Sequence, residues 1–257
     1  MKKKISPLFK LLKKLLKLFY PKIKFYGTDN IPQQPVIFVG NHSQMAGPII
    51  CELFFPVKRY TWCAGEMMKL KEVPSYAYKD FWSQKPKYSR PFYRILSFII
   101  APLSVFLFNN ANAVAVYKNS NGLSTFKNTV KLLSNGYSIV IFPENDKPYN
   151  NIIYDFQDKF IDVAKLYYKR CKKEISFVPM YIAPNLREVH FGKSISYCIS
   201  CETQQQREII KNHLMNEITT VAKNLPEHTV VPYRNIPKKL YPSNVPIKED
   251  NYEKKHG

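Results

Sequence analysis

Two short, wholly apolar runs constrain this chain more than any other feature, because each stops abruptly at polar residues that carry chemistry. The first is Val36, Ile37, Phe38 and Val39, closed by Gly40 and followed by Asn41 and His42. The second spans residues 138–142 and gives way to Pro143, Glu144, Asn145, Asp146 and Lys147. Apolar runs of this length, bounded by turn residues, read as strands buried on both faces, the kind that builds parallel sheets. Pro48, shortly after His42, suits the first turn of a helix, where its missing N–H costs nothing. His42 therefore belongs at a strand-to-helix turn, and open α/β sheets place their ligands there. A lone loop histidine is most often solvent-facing or structural. If the two strands are parallel in one sheet, however, His42 and Glu144 emerge at the same edge, and a base, an acid group and cations then share one place.

The remaining segments fit that reading. Residues 49–55 read as a short helix, 60–64 and 113–117 as strands, and 123–134 as an amphipathic helix closed by Gly136. Strand, helix and strand in this order imply right-handed crossovers and parallel strands. Beyond them, 155–170 is expected to be helix and 175–182 strand. Residues 187–191 and 195–198 should form a hairpin around Gly192, and 202–225 the last helix. Residues 66–93 are aromatic and proline-containing and do not resolve into an element. From Pro226 prolines recur, so the tail is expected to wrap the surface or hang loose. The fold class that follows is α/β, a mostly parallel central sheet flanked by helices, with an N-terminal amphipathic helix. The regions are 1–24, the helix; 25–225, the α/β domain; and 226–257, the proline-rich tail.

Ser6 and Pro7 are a good helix start, and Pro21 a stop. At about 100° per residue, Leu8, Phe9, Leu11, Leu12, Leu15, Leu16, Leu18 and Phe19 share one half of the wheel. Lys10, Lys13, Lys14 and Lys17 share the opposite arc, with no acidic residue in the segment. The helix would be roughly 21 Å long, short of a hydrocarbon core of about 30 Å. An in-plane helix on an anionic membrane surface is the expectation, with docking on the domain's own core as the bland alternative. Residues 95–108 form a nearly uncharged run containing Pro102, too short to span and equally compatible with a buried helix or a membrane-dipping segment.

Composition narrows the function. With 39 Lys and Arg against 19 Asp and Glu, a net charge of +20, the chain should meet an anionic partner: nucleic acid, a membrane surface, or phosphorylated or carrier-bound substrates. No nucleic-acid motif is present, and the densest lysines sit on an amphipathic helix, so nucleic acid is not expected as the partner. Five cysteines without framework spacing read as reduced thiols, although Cys198 and Cys201 form one C-x-x-C. The five histidines show no paired ligand spacing, so no metal site is expected.

Four blocks in order resemble the lysophospholipid acyltransferases, the family that includes the 1-acylglycerol-3-phosphate acyltransferases. Asn41-His42 is similar to the start of that family's Asn-His, four residues, Asp motif. Asn112 through Val116 to Lys118 is similar to its second block, Phe142 to Lys147 to its Phe-Pro-Glu-Gly-Thr-Arg block, and Phe177 to Met180 to its Val-Pro block. The chain departs from the pattern at Gly47, where the family has Asp, at Lys118 and Lys147, where Arg is usual, and at Asn112 and Asn145, where glycines are usual.

The resemblance implies transfer of an acyl group from acyl-CoA or acyl-carrier protein to a lysophospholipid acceptor, with no bound cofactor. It would take place at the cytoplasmic face of the cell membrane, with the protein peripherally attached. His42 would be the general base, suited by an imidazole pKa near neutrality. Asn41, Lys118, Glu144, Asn145 and Lys147 would contact the acceptor, the lysines meeting phosphate as point charges without arginine's fork. Gly47 cannot orient the imidazole. A carboxylate from elsewhere (Glu52, Asp146 or Asp155), a backbone carbonyl, or a pseudoenzyme that binds lipid or carrier protein without chemistry are the open alternatives.

Overall fold

The computed structural model describes residues 5–83, 85–117 and 122–245, and of residues 146–149 the backbone only. Its elements follow in the order α1 (Pro7–Phe19), β1 (Lys24–Tyr26), β2 (Ile37–Gly40), α2 (Ala46–Phe54), β3 (Arg59–Ala64), α3 (Val73–Ala77), α4 (Arg90–Asn110), β4 (Ala113–Val116), α5 (Gly122–Ser134) and β5 (Ser138–Ile141). Then come β6 (Glu144–Tyr149), β7 (Tyr154–Phe156), α6 (Val163–Cys171), β8 (Ser176–Ala183), β9 (Glu188–Phe191), β10 (Ile195–Ser196) and α7 (Thr203–Asn224).

Eight strands make the main sheet in the order β1-β9-β8-β2-β5-β3-β4, with β10 also on β8. Five consecutive strands, β8, β2, β5, β3 and β4, are parallel, so the expected α/β class with a mostly parallel sheet is what the chain adopts. Residue alternation explains why the strands read as unbroken apolar runs. Ile37, Val39, Ile139 and Ile141 pack into one core, with α5, α6 and α7 residues such as Leu133, Ala164 and Leu214. Val36, Phe38 and Val140 enter a second core with Ile50 and Cys51 of α2. Both faces are buried, so the positions are apolar except Ser138, whose hydroxyl accepts the Val36 N–H.

Three expectations are corrected. Residues 155–170 are not one helix: Tyr154–Phe156 pairs with β6, a 3-10 turn covers Lys159–Asp162, and α6 starts only at Val163. Phe156, Phe160, Ile161, Ala164 and Tyr167 are all buried, and their spacing imitates one helical face. Gly192 is not a hairpin turn. The chain reverses earlier, at residues 184–187, where Arg187 takes φ 59°, and β9 and β10 run in succession along the same edge of β8. Gly192 continues that edge through its N–H to the Pro179 carbonyl, and a Cβ there would meet Glu217 of α7 and Pro179 at 2.9 Å. Its smallness serves close packing.

The third correction concerns residues 95–108. They lie inside a continuous helix over Lys87–Asn110, 24 residues including its lead-in turn, long and apolar enough to cross a membrane by length and composition. At 1.5 Å per residue that is about 36 Å, against a hydrocarbon core of about 30 Å. The helix is inverted: Ser97, Ala101 and Ser104 are its buried positions, Ser104 donating to the Met67 carbonyl, while Phe92, Ile95, Phe98, Ile99 and Leu103 face outward. Only 17% of its apolar window is buried.

Helix α1 sits beside α4 and α2. Phe9 is buried on Phe106, Lys13 pairs with Glu52 at 2.6 Å, and Lys17 lies over the Phe54 ring. That seam leaves the leucine arc outward, with Leu18 75% and Phe19 82% exposed.

The described part of the tail, residues 226–245, is fastened to the domain. Asn244 is buried and receives the His228 N–H, donates its own N–H to the His228 carbonyl, and caps the end of α7 through the Ala222 carbonyl at 2.8 Å. Farther along, Asn235 donates to the Phe81 carbonyl, and Gln44 bonds the Tyr241 hydroxyl and the Arg234 carbonyl. The tail is thus a strap across the carboxyl edge of the sheet.

Candidate functional site

The site is built around the five-residue link between β2 and α2. Ser43 and Gln44, immediately after His42, take φ 47° and 52°. Two consecutive non-glycine residues in the left-handed region carry a strain of about 1–3 kcal/mol each, which persists only where neighbours over-determine the backbone. Here they do. The Asn41 amide clasps the main chain of β8: the Ile182 N–H donates to Oδ1 at 2.7 Å, and Nδ2 donates to the Ile182 carbonyl at 3.0 Å. Nδ2 also donates to Ser43 Oγ at 2.7 Å, and that hydroxyl donates to the same carbonyl at 3.3 Å.

Glu144 is the second restraint. It is 3% exposed; Oε1 accepts the backbone N–H of His42 at 2.5 Å, and Oε2 accepts that of Tyr154 at 3.1 Å. Burial pushes the carboxyl up to about 7, against the pull of those two N–H groups. The expected shared edge is therefore real: β2 and β5 are parallel neighbours, and their two motif residues are in hydrogen-bond contact just past their carboxyl ends.

The imidazole itself is packed between aromatic rings. Phe142 stands at the end of β5 with its centroid 5.2 Å away, and Tyr233 of the strap 5.8 Å away, both edge-on. Burial lowers the His42 pKa to about 4, opposed by a smaller effect of the Gln44 backbone. Nδ1 is buried and has no hydrogen-bond partner among the described residues. The ring is neutral throughout the physiological range.

Of the other expected site residues, Asn41 is buried, and its amide is bonded to the Ile182 backbone as a clamp between the β2–α2 link and β8. Asn145 reaches across the β6–β7 hairpin to Asp155 at 2.9 Å. Lys118 lies outside the described residues, and Lys147 is described only as backbone in β6. Nor do two of the three possible replacement carboxylates serve His42. Glu52 is held by Lys13 and Arg59, and Asp155 by Asn145 and Lys211; Asp146 lies beyond the described side chains. Gly47 explains its own identity, since a Cβ there would stand 2.3 Å from the His42 carbonyl oxygen. Helix α2 starts too close to the loop for any side chain at that position.

A cleft of about 430 Å³ opens beside the same loop, lined by Ser43, Gln44, Met45, Lys238 and Tyr241 among others. No group of three His, Cys, Asp or Glu side chains suited to a metal ion occurs among the described residues. Sequence reasoning missed Tyr233 and the other strap residues, since nothing local marks residue 233 as a neighbour of residue 42.

The family model described as Acyltransferase matches residues 22–183. The chain belongs to the acyltransferase family. The resemblance carried by its four motif blocks is thereby borne out, and the matched span ends with β8, leaving α1, α7 and the strap outside it. No protein of curated function matches the sequence. Among solved structures, the acyltransferase chain is similar to the 1-acyl-sn-glycerophosphate acyltransferase PlsC of Thermotoga maritima, at 14% identity over 85% of this chain and 81% of that one, with a TM-score of 0.48.

Proposed function

We propose that the acyltransferase moves a fatty acyl group from an acyl-CoA or acyl-carrier-protein thioester to the hydroxyl of a lysophospholipid-type acceptor, with His42 as general base. The contact of His42 with Glu144 at the carboxyl edge of β2 and β5, inside the family-matched span, carries this reading. A neutral imidazole takes the hydroxyl proton as the oxygen attacks the thioester carbonyl. The C–S bond then breaks, and the thiolate leaves with the proton returned from the imidazolium. Glu144 acts on the backbone, holding the residue that carries the base. Lys238, in the cleft beside the loop, and Lys118 and Lys147 are the cations proposed for an anionic headgroup.

The reaction would take place on an anionic bilayer surface. The leucine arc of α1 and the outward face of α4 are both apolar, lie beside each other, and are flanked by Lys10, Lys14, Lys87, Arg90 and Arg94. Each lysine near such a surface contributes about 1 kcal/mol. The deciding experiment is acyl transfer to lysophosphatidate by the purified protein on anionic vesicles, with both thioester types, beside His42→Ala. Turnover that vanishes in the variant supports the reading. Vesicle binding with no turnover on any lysolipid would favour a lipid-binding protein without catalysis.

A further inference from the structure

We propose that Tyr233 is the positioning residue for the His42 imidazole, doing by aromatic packing what a side chain at position 47 cannot do in this chain. The inference rests on His42 being the base. A Cβ at Gly47 would collide with the His42 carbonyl, and Glu52 and Asp155 are engaged with cations or amides elsewhere. Besides the backbone of the adjacent Gln44, what reaches the ring are two aromatic side chains, Phe142 at an interplanar angle of 62° and Tyr233 at 68°.

Tyr233 also closes a circuit. Its ring packs on Tyr154 at 6.0 Å, and Tyr154 gives its N–H to the Glu144 carboxylate that holds the His42 N–H. Tyr154 therefore links the carboxylate that holds the His42 backbone to the ring that packs on its imidazole. The strap that carries Tyr233 is fastened on both sides of it. Before it, the Thr229 carbonyl accepts from Asn185 and the His228 ring bonds the Tyr181 hydroxyl; after it, Arg234 and Asn235 are tied to Gln44 and Phe81, Tyr241 is tied to Gln44, and Asn244 is locked into the end of α7. Edge-on contact between aromatic rings has a preferred geometry, and so favours one orientation of a ring. Packing of this kind restrains the imidazole without stabilising its cation, as a carboxylate would.

The test compares native protein, Tyr233→Phe and Tyr233→Ala by steady-state kinetics with lysophosphatidate and acyl-CoA, and by NMR titration of the His42 ring in full-length protein labelled at histidine. Displacing a reacting group by about 1 Å costs about 100-fold, so the Ala variant should lose kcat on that scale while KM for the acceptor holds within about threefold. The Phe variant, keeping the ring, should stay within about threefold of native. His42 should titrate near 4 in native and Phe proteins and move toward 6.5 in the Ala variant. Native kcat and an unchanged titration in Tyr233→Ala would overturn the proposal, as would a Phe variant as damaged as the Ala one. If native protein transfers no acyl group, the acyltransfer reading falls, and the NMR titration still decides whether Tyr233 fixes the ring.

Discussion

Glu144 holds the backbone N–H of His42 at 2.5 Å, and its second oxygen is taken by Tyr154. The carboxylate that the sequence pairs with the histidine thus acts on the main chain. It joins the β2 and β5 motif blocks and steadies a turn whose next two residues are left-handed.

Removing that carboxylate should therefore cost stability as well as rate. Glu144→Ala strands two buried N–H groups, each worth about 1–3 kcal/mol when unsatisfied. We expect a loss of several kcal/mol by urea denaturation together with a fall in kcat. Glu144→Gln keeps one acceptor oxygen and should lie between Ala and native in both measurements. An Ala variant as stable as native would show that these bonds hold nothing.

His42 and Glu144 should act on stability in opposite directions as pH changes. His42 is lowered from 6.5 to about 4, so the unfolded chain takes up its proton first, and stability is lost as pH falls from 6.5 toward 4. At roughly 1.4 kcal/mol per pH unit the full effect is about 3 kcal/mol. Glu144 is raised from 4.5 to about 7, so its contribution is present at low pH and lost as pH rises through 7. His42→Ala removes only the first effect. The variant should gain on native protein by up to about 3 kcal/mol between pH 7 and pH 4, whatever its offset at neutrality. Parallel stability curves for the two proteins would refute the burial of a neutral ring.

Restoring an acidic residue at position 47 should harm the protein. A Cβ there lies 2.3 Å from a backbone oxygen that cannot swing away. Gly47→Asp and even Gly47→Ala should lower stability by about 1–3 kcal/mol or more and reduce kcat through displacement of the loop. An active, native-like Gly47→Asp variant would mean that α2 can shift, and that the close approach is not a constraint.

Vesicle sedimentation separates the two apolar surfaces. Ile99→Asp and Phe98→Asp alter exposed positions on α4 and should weaken binding to anionic vesicles about tenfold or more, without changing thermal stability by more than about 0.5 kcal/mol. Lys10→Gln with Lys14→Gln should instead weaken the salt-sensitive part of binding. Equal binding of all variants to neutral and anionic vesicles would remove both helices from the membrane contact.

The parallel strands were legible because burial on both faces makes β2 and β5 apolar apart from Ser138, whose hydroxyl accepts the Val36 N–H, and the paired placement of His42 and Glu144 followed from that. The β6–β7 hairpin was hidden by a coincidence of spacing, since Phe156, Phe160 and Ala164 fall where one helical face would put them. The full length of α4 was masked by Pro91, Pro102 and two arginines, each of which a long helix can accommodate. Asn41 entered as an acceptor contact through the motif resemblance alone, and its hydrogen-bond partner Ile182, 141 residues away, left no local signal. Tyr233 was beyond reach for the same reason. Contacts made by a late strap on an early loop leave no local pattern in the chain.

The strap also sets the order in which the protein becomes complete as it is made. The strands that build the sheet edge, β2, β5 and β8, are all made once Ala183 has been added, ahead of Tyr233 in the chain. At roughly 5–20 residues per second, the interval between Ala183 and Tyr233 is about 2.5 to 10 s. For that time the sheet edge waits for the aromatic ring that packs on His42.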